Sequence, residues 1–155
     1  MSQSKTSSTK ILVVDDDESM IRLLQAVFRD DYEVLGACSV KEGLRTLRDH
    51  IIDLVLMDIR MPGDDGIVGL KEIRKKDPCL PVIMMSGSSE PETVKATLSL
   101  GADGFLAKPY RLTELTKLVQ NCLRLRELTL DLATPAHQRD SSSDREEFLS
   151  WMSAA

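Results

Sequence analysis

The chain has 155 residues, of which 42% are hydrophobic and 29% are charged, and its net charge is −5. This length predicts one domain with a short appendage, and the composition supplies enough apolar side chains for a substantial core. The negative charge disfavours direct binding to nucleic acid or to an anionic membrane, and no apolar run approaches the roughly 18 residues of a membrane span.

The polar start of the chain, residues 1–9, is predicted to be disordered, and it lacks the apolar stretch expected of a signal peptide. From residue 10 onward, short apolar runs alternate with helical patterns. The predicted elements are strand 11–14, helix 18–29, strand 32–37, helix 40–50, strand 53–57, helix 67–76, strand 81–85, helix 91–101, strand 103–107 and a helix from residue 112. Buried parallel strands with right-handed crossovers predict an α/β fold, a three-layer doubly wound sandwich with five strands and five helices.

Local signals support several of these boundaries. Ser39 is a suitable N-cap for the second helix, and Glu42 at its third position fits a capping box. Asp77-Pro78 ends the third helix. Residues 60–66 are rich in turn-forming residues and predict a loop, and the mixed polarity of the second strand indicates a sheet edge.

The fifth helix is predicted to extend beyond the domain at residues 10–125. A 3-4 spacing is shared by Leu115, Leu118, Cys122, Leu125, Thr129 and Leu132. This spacing fits either a dimerising helix or an ordinary amphipathic helix that buries one face. Residues 126–155 are assigned to the helix extension, a polar linker and a C-terminal tail, and residues 146–152 form either a short docking helix or a disordered end.

Charged residues follow three of the predicted strands at the point where each strand ends. Asp15 and Asp16 follow the first strand, Asp58 follows the third and Lys108 follows the fifth. Ligands bind at the carboxyl ends of the strands in an open parallel sheet, so these side chains should converge on one pocket. Crowded carboxylates attract a divalent cation, and a lysine can hold an anionic oxygen. The pattern therefore predicts metal, carboxylate and phosphate chemistry.

The residues around these charges resemble a known family. The chain carries, in order and each at a predicted strand end, Val13-Val14-Asp15-Asp16, Leu56-Met57-Asp58-Ile59-Arg60-Met61-Pro62, Met85-Ser86-Gly87 and Lys108-Pro109. Over residues 10–125 it resembles the receiver domain of two-component response regulators. The resemblance implies a flavodoxin-like fold of strand order 2-1-3-4-5 and transfer of a phosphoryl group from a histidine kinase phosphohistidine to one aspartate. Such a signalling domain is not an enzyme with a separate substrate, because it catalyses only its own phosphorylation and dephosphorylation.

The resemblance implies a role for each acid of the pocket. Asp58 would be the phosphoacceptor, since a carboxylate can attack phosphorus. Asp16 and Asp58 would bind Mg²⁺ directly, Asp15 would act through a bound water, and the backbone carbonyl of Arg60 would be a further ligand. Asp17 is one acid more than the metal needs and is assigned to the N-cap of the first helix.

The resemblance also implies a switch. Lys108 would contact a phosphoryl oxygen, with the bond to Pro109 held cis, and Ser86 would donate its hydroxyl to another oxygen. Phosphorylation would move Ser86, and Phe105 would turn inward into the space that is vacated. The output surface would then be the fourth helix, the fifth strand and the fifth helix.

Three further positions are predicted to modulate the phosphoryl group. Arg60 lies two residues after Asp58, and Ser88 lies two residues after Ser86, so both should flank it. Arg60 would either screen attacking water or attract anionic phosphodonors. Gly87 would leave backbone N–H groups free to approach the phosphate.

The expected partners follow from the same resemblance. A sensor histidine kinase or phosphotransfer protein would dock on Ser19, Met20, Leu23, Pro109 and Tyr110. A downstream effector domain or protein is expected, without direct nucleic-acid or membrane binding. A homodimer through the fifth helix or the output surface is one of the alternatives left open. The chain has three cysteines, Cys38, Cys79 and Cys122, and their spacing is not that of a metal site. We therefore expect them to be reduced thiols in a cytoplasmic protein.

Other readings of the pattern remain open. A Mg²⁺-dependent phosphohydrolase with an aspartyl nucleophile usually has an acid where this chain has Arg60, which disfavours that reading. A flavin-binding doubly wound protein is disfavoured as well, because the three aspartates after the first strand would repel the phosphate of the flavin. A pseudo-receiver that signals by binding or dimerisation without phosphorylation is a further alternative. The region after Arg126 is too short for a full helix-turn-helix domain, so the chain is either a stand-alone receiver or part of a longer regulator.

Overall fold

The computed structural model describes residues 8–87 and 90–133, without the side chains of Asp64 and Ala133. The predicted linker and tail therefore lie outside the described residues. The strands within these ranges are β1 Lys10–Val14, β2 Glu33–Ala37, β3 Leu54–Asp58, β4 Arg60–Met61, β5 Asp64–Asp65, β6 Val82–Ser86 and β7 Gly104–Ala107. The helices are α1 Glu18–Phe28, α2 Val40–Asp49, α3 Gly66–Lys76, α4 Pro91–Ser99 and α5 Leu112–Ala133.

Five of the strands form one parallel sheet in the order β2-β1-β3-β6-β7. At the carboxyl end of β1, Val14 lies between Ala37 of β2 and Met57 of β3. This is the predicted order 2-1-3-4-5 when only the strands of this sheet are counted. It confirms the doubly wound flavodoxin-like fold, with β2 at the predicted edge.

The two faces of the sheet bury separate apolar cores. Leu12 and Val14 of β1 belong to the core that α2 and α3 cover. Ile11 and Val13 point to the opposite face, which α1 and α5 cover, because successive side chains of a strand alternate between faces. Both faces are therefore buried, which explains why the central strands are apolar throughout and confirms the three-layer sandwich.

Side-chain caps set the starts of α1, α2 and α3, the last through the Asp65 carboxylate. Ser39 Oγ accepts a hydrogen bond from the Glu42 N–H at 3.1 Å, as the capping box predicts. The Glu42 carboxylate accepts in return from the N–H of Cys38 at 2.8 Å, which precedes the N-cap. At the start of α1, the Asp17 carboxylate accepts from the Ser19 N–H at 2.9 Å, which confirms Asp17 as the N-cap.

The segment predicted as a loop, residues 60–66, contains a small hairpin. Arg60–Met61 pairs antiparallel with Asp64–Asp65, and Gly63 in the turn between them has a positive φ of 69°. Strands of two residues are too short to show the alternation of polar and apolar residues that identifies a strand in sequence. The prediction of a loop was therefore wrong at these four positions, although the turn itself was correctly placed.

Helix α5 extends past residue 125, as predicted, and reaches Ala133 at the end of the described residues. Its first half packs on the domain, since Leu115 is fully buried and Cys122 is nearly so. Its second half is solvated, with Leu125 63% exposed and Leu132 50% exposed. The residues with the predicted 3-4 spacing are thus divided between the domain core and a solvent-exposed face of α5.

Candidate functional site

Three strand ends bring charged side chains together at one edge of the sheet. Asp15 directly follows β1, Asp58 ends β3 and Lys108 directly follows β7. The Lys108 Nζ lies 3.2 Å from Asp58 Oδ2 and 3.3 Å from Asp15 Oδ2. Asp15 is 1% exposed and Asp58 is 7% exposed, so these ion pairs are shielded from solvent on most sides. The structure therefore places the three residues in one pocket, as the sequence predicts.

Asp16 completes a group of three carboxylates. One oxygen from each of Asp15, Asp16 and Asp58 lies within 4.8 Å of the others. Asp16 is exposed, so the group is open to solvent on its side. Mg²⁺ prefers oxygen ligands, often only one or two carboxylates together with waters, and this donor set fits it. The single charge of Lys108 cannot neutralise three carboxylates, which leaves the pocket attractive to a divalent cation.

Burial and charge act in opposite directions on the pKa values of this pocket. Burial raises the pKa of Asp15 above 3.8, and the N–H of Asp17 and the charge of Lys108 offset this only in part. Burial alone would lower the pKa of Lys108, but the carboxylates of Asp15 and Asp58 together raise it above 10.5. Lys108 therefore remains a cation at neutral pH, fixed between two acids.

Main-chain N–H groups orient the two buried carboxylates. Asp15 Oδ1 accepts from the Asp17 N–H at 3.0 Å, and Asp58 Oδ1 accepts from the Arg60 N–H at 3.2 Å. Each acid thus uses one oxygen for the main chain and turns the other toward Lys108. The carboxylate of Asp17 is used at the helix cap, where hydrogen bonds from Ser19 lower its pKa.

The strand ends of β6 and β7 are joined beside the pocket. The Lys108 N–H donates to the Ser86 carbonyl at 2.7 Å, and the Lys108–Pro109 peptide bond is cis. Ser86 is fully buried at the end of β6. Gly87 follows it, and a Cβ there would meet no atom within 4 Å. The structure thus leaves open space at Gly87, while Ser88 lies outside the described residues.

The remaining predicted residues lie around this centre. Arg60 is exposed in β4, two residues after Asp58, as the sequence requires. Phe105 lies in β7, three residues before Lys108, and is half-buried against the core that α2 and α3 cover. Phe105 therefore contributes to packing and also reaches the surface.

Gly66 is a residue of this site that the sequence did not reveal. A Cβ at Gly66 would lie 2.1 Å from the Asp58 carbonyl oxygen and 2.9 Å from the Ile59 Cα. The Gly66 N–H also donates to the Ile59 carbonyl at 2.9 Å. Only a residue without a side chain permits this approach of α3 to the backbone of Asp58. The signal in the sequence is a glycine after Asp64-Asp65, which reads equally well as an ordinary turn.

An apolar groove of about 460 Å³ opens next to Lys108. The groove is lined by Met20, Leu23, Lys108, Pro109, Tyr110 and Leu112. The Tyr110 hydroxyl donates to the Met20 sulfur at 3.5 Å, which fixes the ring at the groove. Four of the five predicted docking residues therefore share one surface. The fifth, Ser19, is not among the lining residues and contacts Asp17 at the helix cap.

Comparison with known proteins decides the family. The sequence profile described as the response regulator receiver domain matches residues 11–120. The chain belongs to the response regulator receiver family. Among solved structures, a receiver domain protein from Clostridium thermocellum matches this receiver with a TM-score of 0.74 and 31% identity, covering 78% of this chain and 98% of that one. The family predicted from the four motifs is confirmed.

Two longer regulators are among the proteins similar to this chain. The receiver is 37% identical over 139 residues to the regulatory protein AtoC of Escherichia coli K12, covering 89% of this chain and 30% of AtoC. It is 40% identical over 127 residues to the transcriptional regulatory protein ZraR of Escherichia coli O157:H7, covering 81% of this chain and 29% of ZraR. The receiver thus spans less than a third of either relative.

None of its helices within the described residues is long and apolar enough to cross a membrane.

Proposed function

We propose that this receiver accepts a phosphoryl group on Asp58 from the phosphohistidine of a sensor histidine kinase or a phosphotransfer protein. One observation carries the proposal. The buried Asp58 carboxylate lies 3.2 Å from the Lys108 ammonium and within 4.8 Å of two further carboxylates. A buried nucleophile between a cation and a cluster of oxygen ligands suits the attack of one anion on another.

The transfer exchanges one bond to phosphorus for another. An Asp58 carboxylate oxygen forms a bond to phosphorus while the bond from phosphorus to the histidine nitrogen breaks, and its electron pair remains on the imidazole. Lys108 would move from its pairing with Asp58 Oδ2 to a phosphoryl oxygen, and Ser86 would donate its hydroxyl to another. Mg²⁺ held by Asp16, Asp58, the Arg60 carbonyl and, through water, Asp15 would neutralise the remaining negative charge.

The switch proposed for Ser86 and Phe105 is supported by how the strand ends are connected. Phosphorylation adds about −1.5 to −2 charge and three acceptor oxygens at Asp58. Because the Ser86 carbonyl is bonded to the Lys108 N–H, a movement of Ser86 would be transmitted to β7. α4 buries only Thr97 among its nine residues, so little packing opposes its displacement. The output surface would therefore be α4, β7 and α5.

The groove beside Lys108 is the proposed docking site for the phosphodonor. It is apolar, it adjoins the pocket, and Leu23 and Leu112 on its two sides are 46% and 41% exposed. An amphipathic helix that presents a phosphohistidine would cover these side chains and bring phosphorus close to Asp58. This arrangement would place recognition of the partner on apolar side chains directly beside the reacting groups.

The proposed output follows from the relatives and from α5. AtoC and ZraR are regulatory proteins more than three times as long as the region they share with this chain. We expect the signal to pass to a downstream effector domain or protein in the cytoplasm, without contact between the receiver and DNA. The exposed leucines of the second half of α5 offer a surface for a homodimer, which phosphorylation would strengthen or weaken.

Intact-mass spectrometry tests the central proposal. The full chain is incubated with a small phosphodonor or with a phosphorylated histidine phosphotransfer protein, with and without Mg²⁺. We expect one added phosphoryl group, which is lost on chelation of Mg²⁺ and in Asp58→Asn. Asp30→Asn, an exposed aspartate after α1, is the matched control and should behave as the wild type. No gain with either donor would refute the proposal and would favour a pseudo-receiver that signals by binding alone.

A further inference from the structure

A cavity of about 420 Å³ opens at the amino-terminal edge of the sheet, opposite the edge that carries Asp58. Its apolar wall consists of Leu44, Leu47, Ile52, Ile73 and Leu80, and Ile51 at the same cavity is 83% exposed. This volume is within the usual range for ligand sites, which are mostly apolar with a few convergent polar groups. Nothing in the phosphoryl chemistry uses this cavity.

The charged groups around the cavity are unequal in sign. Arg48, Lys76 and Arg126 contribute three positive charges, whereas Asp49 and Asp77 contribute two negative ones. Arg48 lies 3.9 Å from the neighbouring Asp49 carboxylate. An occupant that combines an apolar part with a negative charge is therefore complementary to this cavity.

Arg126 is the most unusual of these groups. Its side chain is only 12% exposed, and its Nη2 lies 3.7 Å from Asp77 Oδ2, which is too far for a hydrogen bond. Its Nε and Nη1 are buried, and neither finds an acceptor in the described structure. Buried donors of a cation without acceptors are costly. Two donors of this guanidinium are therefore left for an acceptor that the described residues do not supply.

The chain itself contains a segment of the matching chemistry. Residues 146–152 read Glu-Glu-Phe-Leu-Ser-Trp-Met, which places two carboxylates directly before four large apolar side chains. α5 continues for seven residues beyond Arg126 to Ala133, a distance of about 10 Å at 1.5 Å per residue. The twelve residues from 134 to 145 can span up to about 40 Å, so the segment can return to the cavity.

We propose that residues 146–152 bind in this cavity, with a glutamate carboxylate on Arg126 and the apolar side chains on the leucine and isoleucine wall. Tethering favours this occupant over free molecules of similar chemistry, because a short linker gives an effective concentration in the millimolar range. Binding at this edge of the sheet requires no phosphoryl group. The test below therefore uses no phosphodonor, and its failure is separable from failure of the proposed function.

Trp151 is the only tryptophan of the chain and reports directly on the segment. The measurement is acrylamide quenching of tryptophan fluorescence in the full chain and in a synthetic peptide of residues 140–155. We expect a quenching constant at least about twofold lower in the full chain, with emission shifted to shorter wavelength, because a bound indole is shielded from solvent.

Two cavity variants and one control make the test specific. Ile51→Asp adds a negative charge at a position exposed enough to spare the fold, and Arg126→Met removes the guanidinium while keeping its bulk. Both should raise the quenching constant to that of the peptide. Val68→Asp, at a 51% exposed position of α3 outside the cavity, should leave it unchanged.

Three outcomes would overturn the proposal. Equal quenching of the chain and the peptide would show that the segment does not bind. Protection that survives both cavity variants would place the segment elsewhere on the domain. Protection that disappears on dilution would show that a second copy of the chain, rather than the same copy, shields the tryptophan.

Discussion

Replacement of Gly66 by alanine should disturb the phosphorylation site more than alanine at the other glycines near the pocket. A Cβ at Gly66 would lie 2.1 Å from the Asp58 carbonyl oxygen, and the next two contacts, at 2.9 and 3.0 Å, are also with backbone atoms. To reach 3.0 Å, the first contact must open by 0.9 Å. No flexible side chain can absorb this shift, so α3 and the end of β3 must move apart.

The expected cost follows from comparison with two other glycines near the pocket. Overpacking against backbone predicts a loss of about 2–4 kcal/mol in the free energy of unfolding for Gly66→Ala. Gly63→Ala has open space but a φ of 69°, and a left-handed backbone costs about 1 kcal/mol for alanine. Gly87→Ala has open space and a φ outside the left-handed region, so its cost should stay below about 0.5 kcal/mol.

Urea unfolding followed by circular dichroism measures these three values, and intact-mass spectrometry measures phosphorylation of the same proteins. A shift of Asp58 of nearly 1 Å should slow phosphorylation of Gly66→Ala about tenfold or more. A loss of stability in Gly66→Ala no larger than that in Gly63→Ala would contradict this prediction. It would mean that the approach of α3 to Asp58 is not enforced by packing.

Further predictions concern the charged groups. Mg²⁺ should raise the melting temperature of the wild type, and Asp16→Asn should abolish this rise. The substitution should leave the melting temperature without Mg²⁺ unchanged, because Asp16 is exposed. An undiminished effect of Mg²⁺ in thermal melts of Asp16→Asn would exclude Asp16 as a ligand. Burial raises the pKa of Asp15, so its contribution to stability is complete below pH 3.8 and is lost as pH rises through the folded pKa. The free energy of unfolding should therefore fall less steeply above pH 3.8 in Asp15→Asn than in the wild type. Urea unfolding at a series of pH values without Mg²⁺ measures both profiles. Parallel profiles of the two proteins would contradict the prediction. Arg60→Ala should change the rate of dephosphorylation by more than about twofold if the exposed cation, two residues after Asp58, acts on the phosphoryl group as proposed. Mass spectrometry of the decaying phosphoprotein checks this, and an unchanged half-life would rule it out.

The convergence of Asp15, Asp58 and Lys108 was predictable although 93 residues separate the first from the last. Alternating strands and helices require a parallel sheet, and the carboxyl ends of parallel strands share one edge. A charged residue at the end of an apolar strand is therefore assigned to that edge without knowledge of any distance. The predicted strand 53–57 differed by one residue from β3, Leu54–Asp58, because the sheet pairing includes the buried Asp58 that a polarity pattern excludes.

Other features of the site were not predictable from the same patterns. The β4–β5 hairpin has too few residues to show a period, and the role of Gly66 depends on a distance between two backbone segments. The groove beside Lys108 combines side chains of α1 and α5, and its shape is set by how these helices pack. Local composition does not contain that information.

The fold class, the family and the residues of the charged pocket could all be read from the amino-acid sequence. Periodicity and strand ends are local features, and the parallel topology then places those strand ends side by side. The tertiary structure alone decided how close α3 approaches Asp58, which face of α5 is buried, and that Arg126 is enclosed with unsatisfied donors. These are consequences of packing between elements distant in sequence. Their energies depend on separations of a few tenths of an ångström.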